Sequence, residues 1–165
     1  MVLLLYSLLC IFLFLGKEHF IFYYLSSIVL LIPVLFYNLE SFGFLKFKGF
    51  IYGIVSSLLF LPFITLSVSD LRFFPQAFSE EIFFRGYIQN ELSKKSGIHL
   101  SIFITSFLFT IPHFILNPSV LSVMVFFPSV VFGYLYYYSN SVWASSIFHF
   151  FSNLFFWQYL RPILS

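Results

Sequence analysis

Hydrophobic residues fall in long runs along this chain, and polar residues fall in short breaks between them. The breaks are Lys17-Glu18-His19, the stretch from Asn38 to Lys48, Asp70 with Arg72, Ser93-Lys94-Lys95-Ser96-Gly97, Asn117-Pro118-Ser119 and Ser139-Asn140-Ser141. Between them lie about seven segments, near 1–16, 20–37, 49–69, 75–92, 98–116, 119–138 and 141–160. A helix that crosses hydrocarbon needs about 20 residues. Backbone polar groups in lipid must be satisfied within the segment, so these runs predict helices. Pro75 suits a helix start and Gly97 a helix stop. The fourth segment differs in kind, because it carries charges among its apolar residues.

Composition sharpens this into an all-α fold, a polytopic transmembrane bundle of about seven membrane-embedded helices. Hydrophobic residues make up 61% of the chain, aromatic residues 25% and charged residues 8%. Soluble domains carry about 25% charged residues. The short connections predict a single membrane domain over 1–165, with scaffold helices in 1–70 and the polar residues that lie within spans in 75–160. Met1 to Gly16 lacks a basic start and a small-x-small cleavage site, so it reads as a retained first helix rather than a signal peptide.

Charge excludes one class of partner. A net charge of +2 with no basic run gives no footprint for nucleic acid. Lys94–Lys95 reads as an interfacial anchor. Loop charges are too evenly shared to fix the orientation. The lone Cys10 permits neither an internal disulfide nor a cysteine metal site. Tyr136-Tyr137-Tyr138 and Trp157 read as aromatic-belt residues. His19, His99, Asp70, Arg72, Glu91 and Arg161 read as interfacial.

Ionisable groups inside a span are costly and mark function by default. Glu80 and Glu81 are adjacent in the fourth segment. Glu81 and Arg85 are spaced i, i+4 and share a face, which is enough to staple helices together. Glu80 projects about 100° away and is left without a local cation. His113 lies deep in the fifth segment, next to Pro112, which can kink a helix. His149 and Asn153 are again i, i+4 in the seventh. Together these point to a shared polar pocket.

Glu80-Glu81-x-x-x-Arg85, then Phe109-x-x-x-His113, then His149-x-x-x-Asn153 resemble the three signature motifs of the CPBP intramembrane proteases. That family includes the CAAX prenyl endopeptidases of the Rce type and the bacterial Abi proteins. Phe84-Arg85-Gly86 with Gln89, and Gly133-Tyr134 with Asn140-Ser141 and Ser146-Ile147, resemble the usual flanks. The resemblance covers about 75–160. The chain is short for the family, whose members often have eight spans.

The resemblance implies a peptide bond hydrolysed by an activated water. Glu80 is the general base and His113 holds the water. Glu81 and Arg85 keep the helix in register, His149 and Asn153 donate to the oxyanion, and Phe109 shapes the pocket. Which of the two glutamates is the base stays open on sequence grounds. The expected cofactor is none. A zinc-dependent version would use Glu80, His113 and His149, although no H-E-x-x-H pair is present. The expected partners are the lipid bilayer and a membrane-anchored protein substrate, either a prenylated C-terminal tail or a C-terminal sorting helix. The short chain favours a sorting-signal protease in a bacterial inner membrane. A non-enzymatic membrane immunity or adaptor protein is the alternative reading. A proton-relay transporter is weaker, since no inverted repeats are visible.

Overall fold

The computed structural model describes residues 1–164, and among them every regular element is a helix. Seven rods follow in chain order. Helix α1 is Val2–Gly16, and α2 is Ile21–Leu31, tightened into a 3₁₀ turn over Ile32–Leu35. Helix α3 is Lys48–Ser57, with a 3₁₀ extension over Leu58–Phe63 that contains Pro62. Helix α4 runs over 74–96, α5 is Ile98–Leu116, α6 is Val120–Ser139 and α7 runs over 142–164. The seven predicted segments therefore appear with nearly the predicted limits. Two of them, α5 and α6, are long and apolar enough to cross a membrane.

Local chemistry sets the ends. Pro75 occupies the first turn of α4, where a missing N–H costs nothing. Gly97 stops α4 with φ +76°, a conformation glycine adopts without strain. Ser119 caps α6 by accepting from the Ser122 N–H at 3.2 Å. Asn140, in the left-handed region at φ 50°, turns the chain between α6 and α7.

Helix α4 is not regular. Phe74–Glu81 is α-helical, Ile82–Gln89 widens into a π-helix, and Asn90–Ser96 is α-helical again. Such widenings are frequent at functional sites. This one begins directly after the paired glutamates. Every residue from Ile82 to Gln89 is buried.

The helices pack around α4 and α7. Helix α7 touches α3, α4 and α6, while α5 lies against α6 and α1. The polarity of the molecule is inverted relative to a soluble protein. Glu81, Arg85, Gln89 and His149 are buried, whereas Leu3, Leu35, Phe47 and Val68 face outward. An apolar exterior around a polar centre is what lipid solvation selects.

Two expectations are corrected. The stretch from Asn38 to Lys48 is more than a polar break between helices. Its 3₁₀ turn Leu39–Phe42 drives Phe42 into the core at 0% exposure. The turn is clamped to α7 by Ser141 Oγ donating to the Gly43 carbonyl at 2.8 Å and Trp143 Nε1 donating to the Phe44 carbonyl at 2.9 Å. Tyr136 is not a belt residue. It points inward, where its hydroxyl accepts from Asn90 Nδ2 at 2.6 Å and donates to the Ser41 carbonyl at 3.2 Å. Tyr137 and Tyr138 do face outward.

Candidate active site

The two adjacent glutamates have different surroundings. Glu81 is fully buried on the inner face of α4. Its Oε2 lies 3.2 Å from Arg85 Nε, one turn along the same helix. Its Oε1 lies 3.0 Å from Nδ1 of His149 on α7. A carboxylate facing a guanidinium is ionised and accepts only, so Nδ1 of His149 is the donor and Nε2 is left for other work.

Glu80 sits at the rim, with its side chain 14% exposed. Its Oε1 accepts from Gln76 Nε2 at 3.0 Å, one turn earlier in α4. Its Oε2 stands 3.8 Å from His149 Nε2. His149 is therefore bracketed by both glutamates, tightly on one nitrogen and loosely on the other. Helical geometry explains the split, since neighbouring residues point about 100° apart.

Arg85 is held on three sides. It is completely buried, and its Nη2 donates to Ser129 Oγ at 3.0 Å and to the Ser129 carbonyl at 3.3 Å. Its Cζ lies 4.9 Å from the Phe109 ring centre and 5.5 Å from that of Phe132. Cation–π contacts of this kind strengthen when the cation is desolvated. One turn on, Gln89 Nε2 donates to the Gly133 carbonyl at 3.1 Å. Arg85 and Gln89 thus pair with Ser129 and Gly133 in one register, and a polar ladder ties α4 to α6.

Phe109 lies between the two histidines. Its ring centre is 4.6 Å from that of His113 and 5.6 Å from that of His149. On α5, which runs unbroken through Pro112, Nδ1 of His113 lies 2.9 Å from the Phe109 carbonyl. A carbonyl only accepts, so Nδ1–H is the donor and Nε2 is free. Neither glutamate comes within ion-pair distance of the His113 ring, since His149, Arg85 and Lys94 account for the ion pairs among the described residues. Asn153 follows His149 by one turn, is half-buried and makes no side-chain hydrogen bond among the described residues.

The predicted residues thus fall into one linked group of Glu80, Glu81, Arg85, Phe109 and His149. His113 touches it through Phe109, and Asn153 lies alongside on α7. Three further residues belong to it. Gln76 holds Glu80, Ser129 holds Arg85, and Phe132 stacks on His149 at 4.5 Å and 20°. Phe132 is one of 28 phenylalanines, and nothing in the sequence marks it. Ser129 carries only the weak signal of a hydroxyl in an apolar run. Gln76, four residues before Glu80, was legible as a helical neighbour.

Among the described residues, no three His, Cys, Asp or Glu side chains converge as a metal-binding group. Both histidine Nδ1 atoms are committed, one to Glu81 and one to the Phe109 carbonyl, which leaves both Nε2 atoms open to a water or a ligand.

Comparison with known proteins adds one match. The family model described as Type II CAAX prenyl endopeptidase Rce1-like matches residues 62–155, more than half of the chain. The matched region holds every residue of the site. No curated protein and no solved structure matches the chain.

Proposed function

This chain belongs to the Rce1-like family of type II CAAX prenyl endopeptidases, and on that premise we propose that it is a glutamic-type intramembrane endopeptidase with Glu80 as its general base. The observation that carries the proposal is the division of labour between the glutamates. Glu81 is spent on Arg85 and His149. Glu80 keeps a carboxylate oxygen turned toward the site, steadied from behind by Gln76.

The reaction follows from these positions. A water bound between Glu80 and His113 Nε2 gives its proton to Glu80 as its oxygen attacks the scissile carbonyl. General-base help of this kind contributes roughly 10²–10⁴-fold. Negative charge grows on the carbonyl oxygen and is met by the Asn153 amide. His149 Nε2 joins as a second donor when the ring carries both protons. One such donor is worth about 2.7–4 kcal/mol in a pre-organised site. The carbon–nitrogen bond then breaks, and the proton held by Glu80 goes to the departing amine. Phe109 and Phe132 exclude water and hold the rings in place.

The substrate is a membrane-anchored protein, cut near its C-terminus or its anchor. We read the enzyme as a multi-pass protein of a bacterial inner membrane that processes sorting signals. The apolar exterior of α1, α2 and α3 supports a position within the bilayer. The test is cleavage by purified enzyme in detergent, with and without a zinc chelator. Unchanged cleavage supports the glutamate mechanism. Loss on chelation with recovery on added zinc would transfer the chemistry to a metal at Glu80, His113 and His149.

A further inference from the structure

Helix α6 carries no residue of the three motifs, yet it reaches His149 by two routes. The first is direct, through the Phe132 ring stacked at 4.5 Å on the imidazole. The second is a chain of two hydrogen bonds joined by one ion pair. Ser129 Oγ accepts from Arg85 Nη2 at 3.0 Å, Arg85 Nε faces Glu81 Oε2 at 3.2 Å, and Glu81 Oε1 accepts from His149 Nδ1 at 3.0 Å. Each of these groups is buried, so water competes with none of the bonds. Both routes start within one turn of α6.

We infer that Ser129 is a positioning residue, which fixes the tautomer and orientation of His149 by holding Arg85 against Glu81. The inference rests on the reading of His149 as part of the catalytic site. Its physical basis is the fixed fork of the guanidinium. With Nη2 anchored on Ser129, the guanidinium stays paired with Oε2 of Glu81 at an ion-pair distance of 3.2 Å, and Oε1 is left for Nδ1–H. Nε2 then faces Glu80 and the reacting atoms. Without the Ser129 hydroxyl, Nη2 of Arg85 keeps only the longer contact to the Ser129 carbonyl at 3.3 Å. The fork is then free to rotate on Glu81, and the imidazole loses the bond that selects Nδ1–H. Partners one step removed set histidine tautomers in this way at many enzyme sites.

The test uses full-length protein in detergent micelles, labelled with ¹⁵N-histidine. The His149 signals are identified by their disappearance in His149→Asn. Wild type is expected to show predominantly Nδ1–H at His149. Ser129→Ala is expected to show a mixture of both tautomers and a kcat lowered roughly ten- to hundredfold, the range for small displacements of catalytic groups, with KM little changed. Ser129→Thr, which keeps the hydroxyl, restores both. If Ser129→Ala does not fold, Ser129→Cys replaces it as a near-isosteric, weak acceptor. A folded Ala or Cys variant with the wild-type tautomer and kcat overturns the inference. The tautomer is read without substrate, so the two ideas fail separately. A tautomer shift in a protein that cuts nothing would sink the protease reading alone.

Discussion

Glu81 and His149 stand 68 positions apart in sequence and meet at 3.0 Å in the buried centre of the molecule. Their contact, together with the Arg85 pair, gives two adjacent carboxylates different surroundings. Glu81 is a structural anion whose charge is compensated. Glu80 is the anion left available.

This asymmetry predicts different costs for the two residues. Glu81→Ala leaves Arg85 buried without its counter-charge, and removing one partner of a buried pair costs about 3–5 kcal/mol. Glu80→Gln changes a rim residue and is expected to stay within about 0.5 kcal/mol of wild type. Unfolding in mild detergent measures both. Equal losses for the two variants would contradict the assignment.

Gly86 predicts a packing effect unrelated to chemistry. A Cβ at this position would run into the Phe42 ring and come within 3.3 Å of Val142 Cγ1. Gly86→Ala should therefore overpack the junction of α4 with the turn at Phe42, at about 1–3 kcal/mol. Adding Phe42→Leu to Gly86→Ala should recover part of that loss, which a double-mutant cycle would detect. Additive losses would mean that the two residues do not press on one another.

The proposed role of Asn153 as an oxyanion donor predicts a kinetic pattern. Asn153→Ala should lower kcat by about 10²–10³ with KM nearly unchanged, because the amide acts on charge that exists only in the transition state. Steady-state kinetics on one substrate checks this. A rise in KM at constant kcat would make Asn153 a binding residue instead.

Much of this structure was legible in the chain, and the exceptions have physical causes. The helix limits could be read because Pro75, Gly97 and Asn140 mark turns by backbone geometry alone. The widening of α4 over Ile82–Gln89 could not be read, because one extra residue per turn leaves a nearly all-apolar pattern unchanged. Phe42 was missed because it sits in a charged stretch, where composition argues for exposure. Tyr136 was misplaced because its neighbours Tyr137 and Tyr138 do face outward, and a run of identical residues hides which one turns in. In the site, charged residues stand out in an apolar chain, so Glu80, Glu81, Arg85, His113 and His149 were visible. Their partners Ser129 and Phe132 act by position and not by type, and only the packing of α6 reveals them.

The proposal that Glu80 is the base of a protease can be tested in cells. The most direct measurement is co-expression of the protein with tagged membrane-anchored proteins, following their cleavage by wild type, Glu80→Gln and His113→Ala. Wild type is expected to shorten its substrate, and folded Glu80→Gln and His113→Ala to lose at least about a hundredfold in rate. Cleavage of a verified substrate at the wild-type rate by folded Glu80→Gln would contradict the proposal and leave the polar centre as a binding site.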